Sequence, residues 1–240
     1  MSSAAQTSDE LRLRLQDVRS RIETAAQRSH REPAAIKLVA VSKTHPAEVV
    51  RQAIDAGVAD LGENRVQEAE SKITELGRER ARWHLIGHLQ SNKVRRAVQL
   101  FDVIHSLDSA ALARKLDHAC REENRDALPV LIQLDLGHEA TKSGVGENEL
   151  PGIVDAVVAC EHLQLVGLMT LPPFFEDAEF ARPYFAKLRE LRDKLREQGK
   201  FAAGEGELSM GMTHDYQVAI EEGATMVRVG TAIFGQRQPR

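Results

Sequence analysis

The chain has 240 residues, 42% of them hydrophobic and 28% charged, with a formal net charge of -4; this is the balance of a globular protein with one core that buries roughly three-quarters of its unfolded surface. The small negative charge offers no broad attraction to nucleic acid or an anionic membrane, so neither is an expected partner. The opening MSSAAQTSDELRLRL lacks the apolar centre of a signal peptide, and no later run is as long as a membrane span. The expectation is a cytoplasmic protein, monomeric, with residues 1–240 as a single domain and 1–7 disordered.

From Ser8 to Ser29 the apolar residues Leu11, Leu15, Val18 and Ile22 fall on one helical stripe, which predicts a leading helix. Eight short apolar runs follow: IKLVAVS, VADLGEN, RWHLIG, FDVIHSL, PVLIQLDL, LQLVGLMT, ELSMG and TMVRVG. Each reads as a strand. Between them lie amphipathic stretches such as PAEVVRQAIDAG, ALARKLDHACREE, ELPGIVDAVVACE and FARPYFAKLRELRDKLREQG, with Gly57 and Gly199 at helix ends. Eight strand-helix units in this length fit a (β/α)8 TIM barrel, an α/β fold, with an extra N-terminal helix. A doubly wound open sheet is the alternative, because alternation does not reveal closure. Cys120 and Cys160 fall in helical patterns without metal-ligand spacing and are expected to be reduced structural thiols.

In a barrel the carboxyl ends of the strands share one mouth, and here they carry Lys43, Asn64, His84, Ser106, Ser209 and Arg228. A lone rim lysine is ordinarily just solvated. Lys43, however, ends the most apolar run and precedes Pro46 at a first helical turn; a lysine near low-dielectric surroundings gives up its proton more readily, as imine formation with an aldehyde requires. LSMGMTHDY and MVRVGTAIFG end the last two strands, where barrels often cradle phosphate. Ser209, Gly211, Thr213, Gly230 and Thr231 supply the hydroxyls and close backbone approach that such a site uses.

Arg228 shares a strand face with Gly230, so both can meet one ligand; an ion pair with Glu221 or Glu222 is the structural alternative. Asn64 lines the mouth or caps the helix that follows it. His84 and His88 lie four apart on a strand and loop rather than on a helix, which argues against a zinc pair. The basic NKVRR, residues 92–96, has no aromatic partners and reads as a solvated helix face.

Taken together, AVSKTHP, GENRVQE, WHLIGHLQSNK, KSGV, GLMTLP, LSMGMTHDY and VRVGTAIFG resemble, in order and over nearly the whole chain, the pyridoxal 5'-phosphate homeostasis proteins. The resemblance implies a barrel similar to the N-terminal domain of alanine racemase, with pyridoxal 5'-phosphate held as an imine on Lys43. It further implies phosphate contacts from Ser209, Gly230 and Thr231, Arg228 near the pyridine nitrogen, and Asn64 in the pocket. Thr213 stands where the family word has serine, and His45 where lysine is common.

An arginine only donates, so at the ring nitrogen Arg228 would disfavour the protonated pyridine on which the cofactor's electron sink depends. The racemases add a tyrosine base from a second domain that this chain lacks, leaving only Tyr184 and Tyr216; Leu171 stands where they carry a ring-stacking histidine. The expected function is to buffer or deliver the cofactor in vitamin B6 homeostasis, with apoenzymes as recipients and no catalytic residue. A single-domain racemase and a barrel aldolase acting through Lys43 are the alternatives.

Overall fold

Each of the eight apolar runs holds one strand, matching the expected limits to within two residues. The computed structural model describes residues 3–137 and 143–236. In chain order the elements are α1 (Ser3–Arg28), β1 (Lys37–Val41), α2 (Ala47–Asp55), β2 (Asp60–Glu63), α3 (Val66–Leu76), β3 (Arg82–Leu85), α4 (Val94–Leu100) and β4 (Val103–Leu107). Then come α5 (Ala110–Glu122), β5 (Leu128–Leu134), α6 (Leu150–Val158), β6 (Leu163–Thr170), α7 (Arg182–Glu197), β7 (Glu207–Met212), α8 (Tyr216–Glu221), β8 (Met226–Val229) and α9 (Thr231–Phe234). Of the seven residues expected to be disordered, Met1 and Ser2 lie outside the described residues, and the backbone of α1 begins at Ser3. Lys142 of the KSGV word also lies outside them.

Every strand pairs in parallel with its neighbour, and β8 pairs with β1 from Lys37↔Met226 to Ala40↔Val229, so the sheet closes and is not an open doubly wound sheet. The predicted stripe on α1 is buried at Leu11, Leu15, Val18 and Ile22. It packs against α2, α8 and α9 on the outside of the barrel. Arg14 Nε donates to the Ile233 carbonyl at 2.8 Å, and Arg31 Nη1 donates to those of Ile220 and Ala224 at 2.9 and 2.7 Å; such contacts satisfy carbonyls that a helix end leaves open. Among the described residues no helix is long and apolar enough to cross a membrane.

Two kinds of core result. The layer between strands and helices is apolar apart from the buried Glu63–Lys72 pair, whereas Val103, Leu131 and Met169 form a small separate cluster. Other side chains buried on the strands are polar: His84, His105, Ser209 and Arg228. Strand period two carries the inner face to the mouth, so Lys43 continues the series Val39, Val41, and Asn64 continues Asp60, Gly62.

Register shifts interrupt simple alternation between β4 and β5, between β5 and β6 and, next to the mouth, on β7. Its register against β8 runs Ser209↔Met226 and then Met212↔Arg228, one residue more on β7 than on β8. Gly211 sits in that bulge with φ of +90°, a conformation open to glycine. A Cβ there would lie 2.6 Å from Ala219 Cβ and 2.9 Å from Tyr216 Cα. Gly211→Ala is therefore expected to lose about 2 kcal/mol or more of stability, seen as a lower urea midpoint, whereas Gly199→Ala, with open space around its Cα, should lose less.

Candidate functional site

A cavity of about 430 Å³ opens at the carboxyl ends of the strands, lined by Val41, Lys43, Asn64, Ile86, Leu171, Phe174, Met212, Thr213, His214, Arg228, Gly230 and Thr231. It gathers five of the six expected site residues: Lys43, Asn64, Arg228, Gly230 and Thr231. Ser209 is not among them. It is fully buried beneath the cavity, where its Oγ accepts from Arg228 Nη1 at 2.6 Å and lies 2.8 Å from His105 Nδ1. The hydroxyl that reaches the wall is Thr213, four residues on and past the β7 bulge; its Oγ1 accepts from the Gly230 N–H at 3.2 Å and so joins the last two loops.

Lys43 sits on a braced turn. Ser42 Oγ donates to Glu63 Oε1 at 2.6 Å, and the ammonium of Lys72 donates to the same oxygen at 2.6 Å and to the Ser42 carbonyl at 2.7 Å. All three side chains are buried. Burial pushes the Glu63 carboxyl upward in pKa, against the opposing pull of Lys72 and Ser42. On the other side Thr44 has φ of +68°, and its N–H donates to Glu68. A β-branched residue in the left-handed region costs about 1–2 kcal/mol, so this turn is held by its surroundings rather than by local preference. His45 stacks on Phe234 with ring centroids 5.0 Å apart.

Asn64 does not cap α3, whose N-cap is Arg65 without a side-chain bond. Instead Gly87 presses against it: a Cβ at Gly87 would lie 2.4 Å from the Asn64 carbonyl oxygen. Ser106 Oγ donates to the Gly87 carbonyl at 2.7 Å and fixes that loop from below.

Arg228 does not take the ion pairs open to it in sequence, because Glu221 and Glu222 are bound by Arg182, and Glu222 also by Arg189. Its second nitrogen, Nη2, donates to the Thr170 carbonyl at 2.8 Å. Burial draws its pKa down to about 10, with Asp215 pulling the other way, so the guanidinium keeps its charge at neutral pH.

The two histidines of WHLIGH diverge. His84 points into the barrel toward His105 and Asp60, and His88 pairs with Asp108 at 3.2 Å. The NKVRR segment runs into α4, where Arg95 and Arg96 pair with Glu123 and Glu70. Lys93 faces a second, polar cavity shared with Asn64, Arg65 and His88. Both cysteines are free; burial raises the Cys120 pKa to about 11 and leaves an inert thiol. Sequence reasoning missed Lys72, Glu63 and His105. Only the alternation of His105 with Val103 in FDVIHSL could have hinted at its inward side.

A family model described as alanine racemase, N-terminal domain, matches residues 13–238. The chain is 43% identical over 225 residues to a pyridoxal phosphate homeostasis protein of Aquifex aeolicus, covering 94% of this chain and 97% of that one. A protein of the same name from Escherichia coli is 41% identical over 226 residues, 93% and 95% of the two chains. Among solved structures, PipY of Synechococcus elongatus PCC7942 with PLP bound is 38% identical, with a TM-score of 0.81 over 94% of this chain and 100% of that one. Alanine racemase of Clostridium difficile 630 is 20% identical, with a TM-score of 0.70 over 96% of this chain but 58% of that one; that likeness shows the fold alone.

The brace behind Lys43 gives a prediction with a sign. Lys72→Met leaves Glu63 buried without its cation and should cost about 3 kcal/mol at pH 7. Without Lys72 the folded pKa of Glu63 rises further above its unfolded value, so the protonated carboxyl is tolerated at low pH and the loss grows as pH rises through that folded pKa. Urea unfolding of both proteins between pH 4.5 and 8 should show the gap widening with pH.

Proposed function

This chain belongs to the alanine racemase N-terminal domain family and, within it, to the pyridoxal phosphate homeostasis proteins, and from that membership we propose that it binds pyridoxal 5'-phosphate at the barrel mouth and holds it in reserve for other proteins. The observation that carries this reading is the convergence in one cavity of an amine, a donor-rich phosphate corner and an arginine. A volume of about 430 Å³ suits a small cofactor.

The donor set fits the group. Lys43 supplies the amine for covalent attachment to the aldehyde. Thr213, Gly230 and Thr231 form the corner for the phosphate, where the first-turn N–H groups of α9 lack intrahelical acceptors. A Cβ at Gly230 would lie 3.3 Å from the Val41 carbonyl oxygen, a tight contact, so glycine keeps this corner open. Asn64, Ile86, Leu171 and Met212 line the rest of the cavity. Ser209 acts in this reading through Arg228 rather than on the phosphate.

When bound, pyridoxal 5'-phosphate supplies an electron sink whose strength depends on the charge of its ring nitrogen. Arg228 donates and cannot accept a proton, so it favours the unprotonated ring and a weak sink. Tyr184 packs on Phe175 and Tyr216 is buried in α8; neither lines the cavity, so neither can act as a second base there. These placements support storage and delivery over turnover; the reading further takes cytoplasmic apoenzymes as recipients and the chain as a monomer.

Three results test the reading. Added pyridoxal 5'-phosphate should give the wild-type chain a visible absorbance band that Lys43→Ala lacks, the variant keeping its circular dichroism. Thr213→Val should weaken pyridoxal 5'-phosphate about tenfold, the scale of one charge-assisted hydrogen bond, and leave the affinity for pyridoxal unchanged. The loaded chain should restore activity to an apoenzyme as its own band falls. Sustained racemisation of an amino acid, lost in Lys43→Ala, would replace storage with catalysis.

A further inference from the structure

Four side-chain contacts, three buried and the last partly so, run in series through the barrel. Arg228 Nη1 meets Ser209 Oγ at 2.6 Å, Ser209 Oγ meets His105 Nδ1 at 2.8 Å, His105 Nε2 meets His84 Nδ1 at 2.8 Å, and His84 Nε2 meets Asp60 Oδ1 at 2.8 Å. Ser209, His105 and His84 are fully buried, and Arg228 is 2% exposed. The series draws one residue from each of β8, β7, β4, β3 and β2. Apart from Arg228, none of these residues lines the cavity at the mouth.

We infer that Ser209, His105, His84 and Asp60 form a one-directional hydrogen-bond chain that holds Arg228 as a fixed donor at the floor of the cavity, which makes Ser209 and both histidines positioning residues. The ends impose the direction. A guanidinium only donates and a carboxylate only accepts, a neutral imidazole does one of each, and a hydroxyl has one proton to donate and two lone pairs to accept with. Asp60 therefore takes the proton of His84 Nε2, which leaves His84 Nδ1 as an acceptor. His105 must then donate from Nε2, which leaves its Nδ1 to accept from the Ser209 hydroxyl. The serine's lone pair is thereby turned to Arg228. With both rings neutral, a single arrangement satisfies all four contacts, and each ring then carries its proton on Nε2. The reversed tautomer at either ring would set two lone pairs or two protons against each other at 2.8 Å.

The surrounding charges favour the same state. Burial holds His105 well below the ordinary imidazole value, and the nearby His84, Arg228, Arg82 and Lys37 act in the same sense. Burial alone would raise Asp60, but the bond from His84, with Arg82 and Lys37 close by, brings it below its usual range. Lys37 is itself paired with Glu207 at 2.5 Å, and Asp215 faces Arg228 from the other end. An extra proton on His105 would place a second donor on Ser209 beside the guanidinium and leave the hydroxyl hydrogen without an acceptor.

The effect on a bound ring rests on the function proposed above; the proton arrangement does not. The test is therefore made first on the full-length, 15N-labelled chain with no cofactor added. At pH 7 the ring nitrogens of His84 and His105 should each show one protonated Nε2 and one unprotonated Nδ1, and His105 should keep that state at pH 5.5. In Ser209→Ala, Arg228 should lose the slow guanidinium exchange that two fixed acceptors give it, and Ser209→Thr should restore it. With pyridoxal 5'-phosphate added, Ser209→Ala should shift the absorbance band and bind about tenfold more weakly, again restored by Ser209→Thr. A protonated Nδ1 on either ring at pH 7, or an Arg228 signal indifferent to Ser209→Ala, would overturn the chain. If the wild-type protein took up no pyridoxal 5'-phosphate, the functional reading alone would fail, and the tautomers and Arg228 exchange would still decide this inference.

Discussion

A guanidinium taken out of water must find acceptors for its N–H groups or forfeit several kcal/mol, and Arg228 finds them only inside a closed ring of strands. Its two terminal nitrogens reach Ser209 on β7 and the Thr170 carbonyl on β6. Satisfying Ser209 in turn brings in His105, His84 and Asp60, so one buried charge fixes the polar half of the barrel interior. The apolar half includes Val39 and Val41 and the cluster of Val103, Leu131 and Met169. Closure between β1 and β8 is what places Arg228 on the same floor as Lys43, although 185 positions separate the two in the chain.

Lys43 shows the complementary arrangement, in which rigidity comes from its neighbours. Before it, Ser42 is bound through both its hydroxyl and its carbonyl to the Glu63–Lys72 pair. After it, Thr44 is held at an unfavourable φ by Glu68. An amine set on such a turn points into the mouth without relying on its own long side chain for direction, the kind of support by which binding sites are made accurate. Glu63 and Glu68 come from β2 and its following helix, so the GENRVQE word serves the lysine as well as the cavity wall.

The barrel, its leading helix and most of the mouth were legible because period two and the strand-end rule act locally: Val39, Val41 and Lys43 announce one face in five residues. Ser209 was not, for a definite reason. Ser209 and Thr213 lie in the same nine-residue word, and what separates them is depth: Ser209 pairs with Met226, below the level of Arg228, while Thr213 follows Met212 at the mouth, a register that shows only when β8 lies beside β7. Nothing in the sequence alone marks Lys72 out. Its burial depends on the carboxylate and carbonyl that β1 and β2 present beneath it, contacts between segments 9 and 30 residues apart.

The central claim is that one cavity at the barrel mouth holds pyridoxal 5'-phosphate by Lys43 at its aldehyde, by Thr213, Gly230 and Thr231 at its phosphate, and by Arg228 at its ring nitrogen. A crystal structure of the chain grown with that compound tests it most directly. The account predicts electron density continuous with Lys43 Nζ, phosphate density within hydrogen-bond distance of Thr213 and Thr231, and an Arg228 side chain unmoved on Ser209. Density attached to a different lysine, or a phosphate lodged beside Arg65 and Lys93 in the neighbouring cavity, would contradict it.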